Sequence, residues 1–437
     1  MAKFTDKLSA FLDRGEDYPR EPVPKSARKS WVSIAMVWTG IYISMAAILD
    51  GLAIIGGLSF KNSLIALFTG FIIFIALTAL QGSIGTETGL STYIVAKQSF
   101  GLNGSHVVSI ISFIVNFGWY AINVRALSES VVIILGKGNV NLISFILGVI
   151  MMITATVGYK GIEMLSTPTV IYTFIFMIVS TFKVFTQEHI VLSEVITRAP
   201  LGESMSLATG ISILVGAMAA GAVNAPDVMR FSRKSSDNFK GLYLIGMPLA
   251  IVQPIMAILL GLFVGSSGFP TVMMAIGGFW GLLMIILGAW TSNDNALYSA
   301  SLALSEIFHG VKRWKLAIIL GVSASVLASL INLGMYINMM LLMGSFLVPI
   351  LGITISDFFI LPKFNLERGL ALKNNEKINN AAIITWVVGG LFEAALDFGY
   401  MQSPFGLPSV VVTMILSSAM YLIIMKIKYR EVKKQVA

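Results

Sequence analysis

Five polar side chains in succession, Thr291-Ser292-Asn293-Asp294-Asn295, interrupt an apolar run from Val272 to Leu304. An aspartate at the centre of a bilayer costs about 2.5–3.5 kcal/mol even on the most lenient scale. A helix turns once every 3.6 residues, so five consecutive positions point all the way round its axis. Part of this segment must therefore face a polar cavity or another polar helix. The hydroxyls of Thr291 and Ser292 suit a hard monovalent cation, which prefers oxygen ligands. The same hydroxyls are equally able to bond back to their own helix. Asp294 could balance a cation's charge, relay a proton or hydrogen-bond within a bundle.

A second constellation is Asn116-Phe117-Gly118-Trp119-Tyr120-Ala121-Ile122-Asn123. Positions 116, 119 and 123 share one helical face, at i, i+3 and i+7. That face sets a flat indole between two carboxamides, a good match for a planar heteroaromatic ring with donors and acceptors on its edge. Stacking of a base on an aromatic side chain is worth about 1–3 kcal/mol, and an amide can pair with a base edge through two bonds. The competing explanation is structural: tryptophan against lipid, asparagines as glue between helices.

Covalent chemistry has little to work with. Cysteine is absent, and His106, His189 and His309 all fall at helix ends or in loops. No paired His and Glu or acidic metal motif occurs within an apolar run, so no catalytic residue and no enzyme is expected. A channel would need a continuous polar pore, whereas the polar residues here gather at one depth. A receptor would need a sizeable signalling domain, and none is present in the sequence.

The elements that position these residues are membrane helices. Of the 437 residues, 56% are hydrophobic and 12% charged; soluble domains carry about 25% charged residues. The mean hydropathy is +0.84. Apolar runs of about 20 residues recur along nearly the whole chain, the pattern of a polytopic helical membrane protein. Twelve spans are expected, near 32–57, 62–82, 104–131, 140–158, 166–186, 207–229, 241–265, 271–305, 315–333, 335–360, 380–398 and 408–426. The polar start of the chain has no h-region, so no cleaved signal peptide is expected. With the N-terminus inside, 25 of the 30 Lys and Arg fall on the cytoplasmic side, which places both termini in the cytoplasm. The net charge of +8 follows from that bias and calls for no nucleic-acid partner.

Gly40 lies about eight residues into span 1, followed by Tyr42 and Ser44. Gly216 lies at similar depth in span 6, followed by Gly221, Asn224 and Pro226. Glycine-interrupted spans five apart suggest an inverted repeat with broken helices 1 and 6. The expected organisation is a cytoplasmic segment at 1–31 and a transporter core at 32–360. The core divides into repeat 1 (about 32–186) and repeat 2 (about 207–360). Helices 11 and 12 follow within 361–426, and a tail at 427–437. Arg125 and Glu129 are spaced for an ion pair on span 3. Asp227 and Arg230 end span 6 as a gate latch or a helix cap. Glu393 and Asp397 on span 11 lie outside the proposed core of ten and are taken as structural.

At this point the chain resembles the nucleobase–cation symporter-1 family, in particular its cytosine/purine permease branch. The resemblance rests on PVPKSARKSW (22–31), GTETGLSTYIVAKQSFGLNGS (85–105), GWYAIN (118–123), PDVMRFSR (226–233), WTSNDNALYSASL (290–302) and PILGITISDFF (349–359), in the family's order and spacing. It implies a twelve-helix, five-plus-five inverted-repeat transporter working by alternating access. By the same resemblance Trp119 would stack on the base. Asn116 stands where bacterial cytosine permeases have a base-contacting Gln, and Asn123 where fungal purine–cytosine permeases have a base-contacting Asn. Asn293 and Asn295 match the amide-rich stretch of span 8. The Na⁺ site of the bacterial members maps onto the hydroxyls of Thr291 and Ser292 and the carbonyls of Gly40, Ile43 and Gly288.

One departure lies on span 6, where Ala217-Met218 replaces a Ser-Phe pair. The second aromatic of the substrate sandwich is missing, and Met218 or Tyr42 would have to stand in for it. The expected function is import of a nucleobase, cytosine first, across the cell membrane by a monomer in the lipid bilayer. Na⁺ is the expected coupling ion and no other cofactor is expected. Proton coupling, with a purine or a thiamine-precursor pyrimidine as substrate, is the alternative within the family, and a passive facilitator the alternative outside it.

Overall fold

The computed structural model describes residue 18 and residues 21–157, 159–187 and 192–436. Most of the expected N-terminal segment, residue 158 at the end of span 4, His189 and Ala437 lie outside the described residues. The fold is all helical, with no strand among the described residues. Eight helices are long and apolar enough to cross a membrane: Phe60–Thr88, His106–Leu135, Val140–Val157, Ser235–Val264, Arg313–Leu330, Leu333–Phe364, Asn380–Asp397 and Ser409–Tyr429. The bent pair Trp31–Tyr42 and Met45–Gly57 makes a ninth. The remaining expected positions hold the shorter apolar helices Ile171–Val184 and Leu207–Val223 and the kinked helix Phe269–Ser305. The numbering of spans 1–12 is kept for these elements.

Local chemistry accounts for where they start and stop. Ser30, Ser59, Ser206 and Asn379 cap helix starts, each accepting a backbone N–H from two or three residues on. That satisfies a donor which has no partner inside the helix. Gly89, Gly136 and Gly265 close spans 2, 3 and 7 in the left-handed conformation, which glycine adopts without a Cβ penalty.

Several helix contacts are related by the exchange of span n with span n+5. The most extensive contact joins spans 3 and 8, and spans 4 and 9 form another; each of these pairs maps onto itself. Spans 2 and 6 meet along their length, as do spans 7 and 1, and these two pairs map onto each other. Span 10 has 83% of its apolar window buried, against 28% for span 12 and 22% for span 4. Large apolar side chains on the less buried helices, such as Ile153, Leu391 and Ile415, face outward, as a bilayer requires.

The two expected breaks differ. Span 1 bends by 56° between Tyr42 and Met45. Span 6 runs unbroken through Gly216 and Gly221 and is interrupted at Asn224, where the short helix Ala225–Met229 begins with Pro226 in its first turn. Proline lacks the N–H that would continue the ladder, so Asn224-Ala225-Pro226, and not Gly216, sets the break. Gly216 is a close-approach residue: a Cβ there would lie 2.5 Å from Met340 O and 3.5 Å from Gly344 Cα on span 10.

Candidate functional site

In span 1 the Ser44 N–H, which would reach Gly40 C=O in a continuous helix, donates instead to Tyr42 C=O (2.9 Å). The Ala47 N–H, which would reach Ile43 C=O, donates to Ser44 C=O (3.2 Å). Both shifts follow from the extended backbone at Ser44 (φ −141°, ψ 169°). The carbonyls of Gly40 and Ile43 thereby lose their helical donors. Gly288 on span 8 lies against the break, its Cβ position 3.6 Å from Met45 N and Cβ. Thr291, Ser292 and Asn295 follow Gly288 at i+3, i+4 and i+7, on the same helical face.

The hydroxyls of Thr291 and Ser292 are buried without a hydrogen-bond partner. Many hydroxyls elsewhere in the bundle bond back to the i−4 carbonyl, among them Thr39, Thr78, Ser83, Ser128, Ser325 and Ser345, while others, such as Ser144 and Ser417, are unpartnered too. A buried hydroxyl left unsatisfied costs about 1–3 kcal/mol. Two such hydroxyls on the helix that abuts the break, and two carbonyls released by it, are oxygen groups of the kind an alkali cation binds, so the residues expected at an ion site fit that chemistry. Among the described residues no cluster of His, Cys, Asp and Glu could hold a transition metal.

The polar stretch of span 8 divides between two faces. Asn293 and Asp294 turn toward span 4. Thr154 donates to Asp294 Oδ1 (2.6 Å) and accepts from the Trp290 indole (2.7 Å). Asn293 Nδ2 reaches Met151 Sδ (3.2 Å), and its Oδ1 is unpartnered. Asn295 Nδ2 bonds back to Thr291 C=O (3.1 Å). Asn293 therefore lies on a different face from Asn295, the other expected base-contacting amide.

On span 3, Trp119 is buried and Tyr336 of span 10 packs edge-on to it, with ring centroids 6.0 Å apart at 74°. The Tyr336 hydroxyl donates to Asp50 (2.7 Å) in the second half of span 1. Neither Tyr336 nor Asp50 was foreseen from the sequence. A buried aspartate in an apolar run was the available signal. Asn116 Nδ2 donates to Ser112 C=O (2.7 Å), and Ser112 in turn meets Asn224 at the break of span 6 (3.5 Å). Asn123 is buried with Oδ1 unpartnered. Each asparagine keeps amide capacity that the protein does not use.

Tyr42 sits with its ring 5.4 Å from both Trp38 and Phe74, so its aromatic partners belong to spans 1 and 2 and not to Trp119. On span 6 Ala217 is buried and Met218 half-buried. They follow Gly216, which touches span 10, the helix that also carries Tyr336. An open groove lined by Glu87, Phe358, Leu366 and Arg368 has no residue in common with this site.

Three of the sequence motifs converge at one end of the bundle. Arg28 donates to Thr86 C=O (2.7 Å) and Ser232 C=O (3.2 Å), joining PVPKSARKSW to GTETGL and PDVMRFSR. Asp227 accepts the Thr92 N–H (2.8 Å), so it caps the helix Thr92–Phe100. Arg230 donates to Tyr18 C=O (2.6 Å). Arg125 and Glu129 form the expected pair at 2.8 Å.

The cytosine permease of Escherichia coli (strain K12) is 25% identical over 362 residues, covering 80% of this chain and 82% of that protein. A closed structure of Mhp1, a nucleobase-cation-symport-1 family transporter with bromovinylhydantoin bound, has a similar fold. Its TM-score is 0.77 at 19% identity, covering 94% of this chain and 95% of the other. A substrate-bound, outward-open Na⁺-coupled sialic acid symporter matches with a TM-score of 0.66 at 13% identity, covering 97% of this chain and 96% of the other. The family model described as permease for cytosine/purines, uracil, thiamine, allantoin matches residues 22–423. With nearly its whole length matched by that model, the chain belongs to this family of permeases and is a multi-pass membrane transporter, not an enzyme.

Proposed function

We propose that this permease imports cytosine together with Na⁺ by alternating access. The observation that carries the ion is the pair of buried, unpartnered hydroxyls at Thr291 and Ser292, beside the break that frees the Gly40 and Ile43 carbonyls. With the Gly288 carbonyl they supply five oxygens of the kind Na⁺ binds. Trp119 offers the stacking surface. Asn116, Asn123 and Asn295 offer amide donors and acceptors for the edge of the base, and Asn293 would contribute only from the span 4 side. Ala217 and Met218 form the opposing wall, and Tyr42 supports it through Trp38 and Phe74.

In the proposed cycle both termini are cytoplasmic and the protein works as a monomer. Na⁺ binds from outside and draws the broken span 1 toward span 8. The base then settles over Trp119, so ion and base stabilise each other's site. The outer path closes, the inner path opens and both leave. Cytosine is supported by the family and by the cytosine permease among the relatives. The Na⁺ assignment is supported by the fold shared with a Na⁺-coupled symporter and by the unused hydroxyls.

The test is uptake of radiolabelled cytosine into proteoliposomes, with and without an inward Na⁺ gradient, with unlabelled bases as competitors. Sodium-driven uptake blocked by cytosine but not by adenine or hypoxanthine is the expected result. Uptake driven equally well by a proton gradient without Na⁺ would overturn the ion assignment.

A further inference from the structure

We propose that Glu393 on span 11 is a proton-binding site whose occupancy holds spans 6 and 10 together. Glu393 is completely buried, and neither carboxyl oxygen has a hydrogen-bond partner. An ionised carboxylate with no donor in an apolar interior is one of the costliest arrangements a membrane helix can carry. The conformation described here therefore holds the neutral acid, with a proton bound on a carboxyl oxygen.

Its position makes that proton consequential. A Cβ placed on Gly344 of span 10 would stand 3.0 Å from Glu393 Oε1 and 3.3 Å from Gly216 Cα of span 6. The carboxyl thus fills the space that a missing side chain leaves at a close contact of spans 6 and 10. Gly216 directly precedes Ala217 and Met218 on the proposed substrate wall. Deprotonation would put a charge at this contact. Water or a cation would then have to enter, and spans 6 and 10 would have to part.

The groups around Glu393 are few. Asp397, one turn on along span 11, is the titratable neighbour. Its Oδ1 bonds to Ser409 of span 12, and its Oδ2 is unpartnered. Span 12 also presents Thr413, whose hydroxyl lies beside the Glu393 carboxyl without reaching hydrogen-bond geometry with it. Span 6 presents Gly216 and Ser212, the latter bonded to Ser409 (2.9 Å), and span 10 presents Gly344. None of these carries a positive charge that could stabilise an ionised Glu393. Asp397 is half-buried at the last residue of its helix.

The test needs no substrate, so its outcome is independent of the nucleobase assignment. Infrared spectra of the purified protein at neutral pH should contain the carbonyl stretch of a protonated carboxylic acid. That band should be missing in Glu393→Gln and displaced in Glu393→Asp. The chain has no cysteine, so paired cysteines introduced on spans 6 and 10 can carry spin labels without background. The distance between them should lengthen as pH rises in the native sequence and stay constant in Glu393→Gln, which keeps the neutral form at every pH. An unchanged infrared band in Glu393→Gln would overturn the protonated state. A distance that ignores pH in the native sequence, or follows it equally in both proteins, would overturn the linkage. A Glu393→Gln protein that no longer folds while Glu393→Asp does would also count against it, since glutamine has the shape of the neutral acid.

Discussion

Thr291→Val separates an ion ligand from a structural hydroxyl, because the two roles predict opposite changes. Valine keeps the shape of threonine and replaces the hydroxyl with a methyl. In the folded protein that hydroxyl is buried and bonds to nothing. Without Na⁺ the substitution therefore removes an unsatisfied group worth about 1–3 kcal/mol, and stability should hold or rise. With Na⁺ at a hundred times its Kd, the native protein gains about 2.7 kcal/mol from binding. A bond to a charged partner is worth about 1.5–3 kcal/mol, so losing one ligand weakens Na⁺ binding about 10- to 150-fold. At the same Na⁺ concentration the gain then falls to about 1.4 kcal/mol at the mild end and about 0.3 at the severe end. The assay is thermal unfolding in detergent, in sodium chloride against choline chloride at equal ionic strength. The reasoning fails if the variant is destabilised in choline, or if sodium stabilises it as much as the native protein.

Other substitutions probe the remaining contacts. Trp119→Ala removes the stacking surface and should weaken cytosine binding about 5- to 150-fold, from about 1–3 kcal/mol of stacking, while Trp119→Phe should lose less; equal affinity for Trp119→Ala by scintillation proximity binding would remove the stacking role. Tyr336→Phe leaves Asp50 buried without its 2.7 Å donor and should cost about 1–3 kcal/mol in unfolding free energy; an unchanged unfolding profile would show that Asp50 finds another donor. Gly216→Ala places a methyl 2.5 Å from the Met340 carbonyl, and overpacking of this kind costs about 1–3 kcal/mol; a variant with native thermal stability would mean that spans 6 and 10 separate freely.

Much of this was legible in the chain because membrane helices announce themselves. Uninterrupted apolar runs gave the helix order, and the polar stretch on span 8 marked the candidate site. The break in span 1 was legible from Gly40 and Ser44. Span 6 lies where expected, but the glycine that pointed to its break, Gly216, stands eight residues before it, since glycine serves both unwinding and close packing. Only contact with Met340 and Gly344 shows that Gly216 does the latter. Tyr336 was out of reach for a different reason. Its role depends on which side chain span 10 lays over span 3, and no periodicity within one helix encodes a partner across the bundle. Helical periodicity already sets Asn293 and Asn295 on different faces; which of those faces meets span 1 became visible only from the contact at Gly288.

The second half of span 1 joins the two proposed sites into one mechanical unit. Met45, its first residue, abuts Gly288 beside the unpartnered hydroxyls. Asp50 lies five residues further along the same helix, about 7.5 Å at 1.5 Å per residue. It holds the Tyr336 hydroxyl, and the Tyr336 ring leans on Trp119. A cation that pulls the break toward span 8 therefore moves Asp50, and Asp50 moves the ring that borders the stacking surface. The path is contiguous and made of one helix segment, one hydrogen bond and one ring contact, so it can be cut without touching either ligand. Asp50→Ala would remove the acceptor of the Tyr336 hydroxyl and cut the path at that bond. Under this coupling it should leave cytosine affinity without Na⁺ nearly unchanged and shrink the factor by which Na⁺ tightens it. Reciprocity requires the same shrinkage in the factor by which cytosine tightens Na⁺. Neither factor shrinking would place the coupling elsewhere.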